Sequence, residues 1–292
     1  MMFAYSLPIG ATMVRHAAFL VSASVLLLGA TRFPPTATAQ TSVEPRSAGQ
    51  VTWHDLVTRD LATSQKFLTE VFGWSFGETR SGKKLEYAVA TADGRPVAGL
   101  AQAKESGTNS SQWLTYVTVP DLDATIAAAT AAGATVAIKP TKIKDRGRGA
   151  LLLDPQGAPF GLLQGGAPAA QGPAAPVKTW LWHELFTRDV ASAATFYEKL
   201  FGLSPRMVKV GEADHLLLQV DTVPVVGGLE TPRQEIRPHW LPFVRVADIK
   251  TVIARTTELG GRVILAPRPD LRNGRVAIIA DPTGAAVGVQ QL

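Results

Sequence analysis

Two short phrases put side chains capable of chemistry next to one another. Residues 53–55 read Trp-His-Asp, and residues 182–184 read Trp-His-Glu. An imidazole beside a carboxylate can relay protons, and an imidazole can also bind a divalent metal. A carboxylate beside an indole suggests something different, an aromatic wall with one acid for a small organic ligand. Two further matching pairs, Gly147-Arg148 and Gly274-Arg275, supply guanidinium groups that could grip an anionic ligand with two N–H donors. His54, Asp55, His183 and Glu184 are therefore the candidate catalytic residues. Trp53, Asp55, Trp182, Glu184, Arg148 and Arg275 are the candidate ligand-binding residues. A structural reading stands beside these: a carboxylate paired with Arg148 or Arg275, and a histidine packed and hydrogen-bonded beneath a helix.

The surrounding elements decide which residues can act together. The phrase "WHDLVTRDLATSQKFLTEVFGW" (53–74) returns as "WHELFTRDVASAATFYEKLFGL" (182–203). Further matches are "QWLTYVTVPDLD" with "HWLPFVRVADIK" and "GRGALLLDPQGAPFGLLQ" with "GRVAIIADPTGAAVGVQQ". The offset is 129 at the histidines (183 − 54) and 127 at Trp113 and Trp240 (240 − 113). The chain is thus a tandem repeat, with domains at 51–165 and 178–292 and a Gly/Pro/Ala-rich linker at 166–177 that should act as a flexible join. Each copy opens with an extended segment and continues into a helix over residues 61–72. Asp60 should cap this helix and Gly73 should end it. Strand-like segments follow, and the plan then repeats within the copy. The turns "DPQG" and "DPTG" have the Asp, Pro and Gly positions of a type I turn. Helices on one face of mixed, largely antiparallel sheets make an α+β fold.

Alternation along a strand sends neighbouring residues to opposite faces. Trp53, Asp55 and Val57 therefore share one face, and His54, Leu56 and Thr58 the other. A β-bulge would reverse the assignment.

Bulk properties narrow the function further. Arg15, the apolar run 17–30 and Ala37-Thr38-Ala39 form a secretory-signal pattern, so residues 1–39 are expected to be removed and the protein to be periplasmic or secreted. Removing them lowers the net charge from +5 to +3, because only Arg15 and Arg32 are lost. The basic residues are scattered, and no nucleic-acid surface is expected. The remaining 253 residues (292 − 39) hold no second long apolar run, so no membrane association is expected after cleavage; self-association stays open. The absence of cysteine excludes disulfides and thiolate metal sites.

"WHELFTRDVASAATFYEKLFG", followed later by "GR…DPTGAAVG", resembles the vicinal oxygen chelate superfamily, which includes glyoxalase I, extradiol dioxygenases and bleomycin resistance proteins. The resemblance covers nearly the whole chain after residue 50. It implies two domains, each a pair of βαβββ modules with curved mixed sheets around a cavity. The closest resemblance is to metal-poor tandem members of the superfamily. Metal-dependent members take ligands from strands of both halves, and their last strand carries a Glu. The corresponding residues here are Gly161 and Gly288. The ligand on the strand opening the second half falls near Leu114 and Leu241, which cannot coordinate. The first-strand ligand stands seven residues before the helix-opening Asp, at Trp53 and Trp182, so His54 and His183 should face the helix. His215 and His239 occur in the second copy only; Gln112 stands where His239 does. No metal ligand set and no cofactor is therefore expected, and the expected partner is a small-molecule ligand. The alternative is a metal-dependent glyoxalase- or dioxygenase-like enzyme using His54 or His183.

Overall fold

The computed structural model describes residues 49–77, 80–82, 85–103, 111–143, 146–165, 175–210, 213–220, 223–231 and 235–292. The expected signal segment and most of the expected linker lie outside them.

In the first domain, β1 (Val51–Thr58) leads into α1 (Leu61–Phe72), then β2 (Ser75–Phe76), β3 (Arg80–Gly82), β4 (Leu85–Ala92) and β5 (Arg95–Gln102). The second module follows as β6 (Gln112–Thr118), α2 (Leu122–Ala131), β7 (Thr135–Ile143), β8 (Gly147–Leu153) and β9 (Pro159–Gln164). The second domain runs β10 (Trp180–Thr187), α3 (Val190–Phe201), β11 (Ser204–Val210), β12 (Ala213–Val220), β13 (Val223–Glu230), β14 (His239–Val246), α4 (Ile249–Glu258), β15 (Arg262–Leu265), β16 (Val276–Ala280) and β17 (Ala286–Gln291).

Each helix starts where the sequence says it should. Asp60 accepts the Thr63 N–H at 3.0 Å, and Asp189 accepts that of Ser192 at the same distance. Both carboxyls are held below their ordinary values, Asp60 chiefly by the Thr63 N–H and Asp189 chiefly by the Ser192 hydroxyl and then its N–H. Gly73 closes α1 with φ 67° in the left-handed region, where a glycine has no Cβ penalty.

Each domain forms one mixed sheet. The strand orders are β2-β4-β5-β1-β6-β9-β8-β7 and β11-β12-β13-β10-β14-β17-β16-β15, with β3 added beside β4. The two modules of a domain join through antiparallel pairs, β1 with β6 and β10 with β14. This is the expected α+β architecture of paired modules.

The two faces of each sheet are buried in different ways. The outer face carries the helices, and there the domains merge. One core joins Leu56, Phe67, Leu68 and Trp74 of the first domain to Trp180, Val244, Val252 and Ile279 of the second. Another joins Leu122, Leu152 and Phe160 to Phe196, Tyr197 and Trp240. Burying a ring such as Trp74 or Trp180 fully contributes on the order of 3 kcal/mol. Polar bonds fix the relative placement. The Trp180 indole N–H donates to Val97 O at 2.7 Å, and Ser64 Oγ donates to Asp281 at 2.7 Å. The Tyr197 hydroxyl donates to Asp154 at 3.0 Å. Asp154 and Asp281 thus close their own turns by accepting turn N–H groups, and also bond to the other domain.

The inner face carries no helix, yet Leu114, Tyr116 and Leu151 on it have almost no exposed surface. The sheet therefore has to curl around them. The second domain repeats this with Leu217, Leu241 and Phe243.

Candidate ligand sites on the inner sheet faces

The register shift between β1 and β6 falls between Val51 and Trp53, ahead of the motif, so alternation from Trp53 to Val57 is intact. Trp53 and Val57 join the inner cluster and Leu56 joins the outer one. Asp55 turns inward beside Trp53, and Glu184 does so beside Trp182.

In the first domain, Asp55 Oδ1 accepts from Trp53 Nε1 at 2.8 Å and from the Tyr87 hydroxyl at 2.8 Å. The Arg146 guanidinium lies 3.5 Å from the same oxygen and 3.6 Å above the Trp53 ring. Burial opposes its charge, but Asp55 and Tyr87 raise its pKa above the ordinary value. The cation is thus held flat between an indole and a carboxylate, a geometry suited to arginine. Gly99 lies directly opposite Asp55 in the parallel pairing of β1 and β5. A Cβ there would stand 1.8 Å from the Tyr87 hydroxyl oxygen and 2.1 Å from Asp55 Oδ1. The glycine makes the room that this cluster occupies.

The second domain is built from related parts, joined more loosely. Glu184 Oε1 accepts from Trp182 Nε1 at 2.7 Å, and Arg272 lies 3.9 Å from it. The Arg272 guanidinium bonds to Gln290 instead. Glu184 Oε2 is buried and has no hydrogen-bond partner. Burial pushes the Glu184 carboxyl up to about 7, against the pull of Arg272 and the Trp182 indole. Gly227 stands opposite, where a Cβ would come 2.2 Å from Oε2.

Two expected ligand contacts sit elsewhere. Arg148 makes a two-pronged ion pair with exposed Asp123 at 2.9 and 3.1 Å, and Arg275 is exposed. Arg146 and Arg272 take the places beside the carboxylates. Arg146 is two positions before Arg148, so alternation alone sends both to the same side of an ideal strand. Gly147 between them, with φ 89° in the left-handed region, breaks that alternation. Tyr87 also escaped the sequence reading, whereas the in-strand glycines at 99 and 227 were a usable signal of close approach.

His54 and His183 lie on the outer face and meet across the domain contact. Their Nε2 atoms are 3.1 Å apart, and Trp180 packs 4.1 Å from the His54 ring. Burial, and then His183, hold His54 well below its ordinary pKa, so it is neutral. Thr115 Oγ1 lies 3.3 Å from His54 Nδ1, and the residue paired opposite His183 is Pro242. His239 stacks on Phe186 and bonds to Arg237 O at 2.8 Å.

The inner-face positions where superfamily metal ligands would fall carry other groups in this chain. Leu114 and Leu241 have no donor atoms. A Cβ at Gly161 would lie 2.0 Å from the Tyr116 ring, and one at Gly288 would lie 2.2 Å from the Phe243 ring. Aromatic rings thus fill the space that an acidic side chain would need. Among the described residues, no three His, Asp or Glu side chains converge.

The model of the Glyoxalase/Bleomycin resistance protein/Dioxygenase superfamily matches residues 47–162 and again 180–289. The chain belongs to that superfamily. Among curated superfamily relatives, CFP32 of Mycobacterium bovis, which carries a provisional glyoxylase name, is 30% identical over 245 residues. That alignment spans 82% of this chain and 94% of CFP32. The anthracycline biosynthesis protein DauV of Streptomyces sp. (strain C5) is 30% identical over 267 residues, 84% of this chain and 94% of DauV. Among solved superfamily structures, the Mn(II)-bound glyoxalase of Novosphingobium aromaticivorans superposes with a TM-score of 0.60 at 15% identity. That superposition covers 84% of this chain and 82% of the other. The 2,3-dioxygenase LapB of Pseudomonas sp. KL28 gives 0.58 at 13% identity, covering 84% and 93%. At these identities the solved structures speak for the fold, and activity has to be argued from the site.

Proposed function

We propose that this chain is an exported member of the superfamily that binds a small organic molecule on its inner sheet faces without a stoichiometric metal. One observation carries the reading: Tyr116 and Phe243 fill the space in front of Gly161 and Gly288, where a metal-binding acid would project. The first domain offers an inner cluster with a partly buried edge. Tyr87, Val89, Ile138 and Ile143 are only partly buried at its edge, and Arg146 presents a flat cation stacked on Trp53. Those groups suit a planar, oxygen-bearing ligand: apolar and aromatic walls bury its rings while the guanidinium takes an anionic or carbonyl oxygen. The anthracycline biosynthesis name of DauV is in keeping with an aromatic, oxygenated ligand. Export is supported by the apolar run and Ala37-Thr38-Ala39.

The test is metal analysis of the purified protein after incubation with Zn, Mn, Ni and Fe(II), followed by dialysis. Far less than one equivalent per domain should remain. Retention of a tightly held metal, lost on Asp55→Ala or Glu184→Ala, would overturn the reading.

A further inference from the structure

The two copies have kept the same inward carboxyl but surround it differently. Asp55 is satisfied by the Trp53 indole, the Tyr87 hydroxyl and Arg146. Among the described residues, the Trp182 indole donates to Glu184 Oε1 and none bonds to Oε2. His215 takes the place of Tyr87, as the registers show: Val89 pairs with Gly99 as Leu217 pairs with Gly227, and Tyr87 and His215 each stand two residues earlier. The titratable or charged groups on this inner face with Glu184 include Arg272, His215, His239, which stacks on Phe186, and Arg206, which pairs with Leu217; the strand residues directly opposite Glu184, Gly227 and Leu241, carry no charge.

An ionised carboxylate with one orphaned buried oxygen costs far more than the neutral acid. A neutral acid brings its own O–H donor, which needs an acceptor. We propose that the inner face of the second domain is a hydrogen-bond-donating site, in which Glu184 Oε2 carries a proton toward an uncharged, carbonyl-bearing organic ligand. The inference rests on the inner faces being ligand sites. It adds that the two domains take different ligand chemistry, an anionic oxygen at Arg146 and a neutral acceptor at Glu184. The rise of the Glu184 carboxyl to about 7 agrees with this.

Glu184 has no exposed surface, so a neighbour must move aside for a ligand to reach it. Arg272 is the neighbour that a short turn, not a strand, carries. Arg272 and Asn273 both sit in the left-handed region, with φ of 46° and 55°, which L residues adopt reluctantly. Burial also works against the charge of the Arg272 guanidinium. A change at this turn would open the site without disturbing a strand.

The experiment uses the full two-domain chain, labelled with 15N and with 13C at the glutamate carboxyls, and two probes: acetophenone, a neutral carbonyl, and benzoate, an anion. Acetophenone should shift the Trp182 indole N–H signal, with affinity falling about tenfold for each pH unit above 7 as the proton is lost. Benzoate should shift the Trp53 signal instead. Glu184→Gln, whose amide also donates, should keep acetophenone binding and lose its pH dependence; Glu184→Leu should lose the binding. Arg272→Ala should bind acetophenone more tightly. Acetophenone binding at Trp182 that is equal at pH 6 and 9, or that survives Glu184→Leu, would overturn the proposal while leaving the inner faces as ligand sites. So would a Glu184 carboxyl signal that titrates in the ordinary carboxylate range. If neither probe shifts either indole at any pH, the reading of the inner faces as ligand sites falls as well.

Discussion

His54 and His183 hydrogen-bond to each other, Nε2 to Nε2, at 3.1 Å inside the contact between the two domains. Only one of those nitrogens can carry the shared hydrogen, so the pair excludes both rings being charged at once. The folded pKa of His54 lies well below its ordinary value. The stability that the neutral ring contributes is thus fully present above about pH 6.5, the unfolded value, and is lost as pH falls through the folded value. Melting curves from pH 8 to pH 4 should show a steeper acid loss in the parent than in His54→Phe.

His54→Ala should lower stability by about 2–4 kcal/mol, because it leaves a gap beside Trp180 and removes the bonding partner of His183. Ligand-induced change in Trp53 fluorescence should be kept. A variant that loses ligand response while melting normally would return the histidine to the binding site.

Glu184 sets the opposite pH trend. Its folded pKa is raised, from an ordinary 4.5 to about 7. Between those values the unfolded chain ionises while the folded chain keeps its proton, so stability falls as pH rises through that window. The loss is on the order of 3 kcal/mol at most. Glu184→Gln should flatten the curve there and raise stability at pH 8. Asp55→Asn should act the other way, costing on the order of 2 kcal/mol by leaving Arg146 beside an uncharged partner. Urea titrations at pH 5 and 8 would read both effects.

Gly161→Ala should destabilise by at least about 1–3 kcal/mol, because the new methyl would overlap the Tyr116 ring. In the double variant with Tyr116→Ala, the two effects should be far from additive. Additive losses would mean that the ring does not hold that space.

The shared outer cores predict joint behaviour of the two halves. After specific cleavage at a protease site placed within residues 166–174, the halves should stay together in gel filtration and melt in one transition. Separation on nicking would show that the bonds from Trp180 to Val97 and from Ser64 to Asp281 contribute little.

Much of this organisation was legible in the sequence. The repeat, the Asp caps, the Gly73 stop and the alternation that sends Asp55 inward and His54 outward all follow from local rules. What was hidden is long-range. Nothing near His54 says that its partner is His183, 129 positions on (183 − 54), because that contact arises only when two outer faces merge. The Asp of each DPxG turn read as turn geometry, and its second oxygen turned out to reach the other domain, which no turn rule encodes. Arg148 and Arg275 stand out in the sequence because both follow Gly at matching places in the repeat. The structure places Arg146 and Arg272 beside the carboxylates, and these do not align in the repeat: at the offset of 127 (273 − 146) Arg146 corresponds to Asn273.

The histidine pair has a consequence for how the two copies relate. A hydrogen bond between identical atoms of two equivalent rings cannot obey a twofold axis, since one ring must give and the other must receive. Two identical copies would face two equal arrangements with nothing to choose between them. In this chain Thr115 places a hydroxyl at the far side of His54, while Pro242, opposite His183, has no such group to offer. Joining the copies in one polypeptide lets the two rings have different neighbours, so that the two arrangements need not be equal in energy.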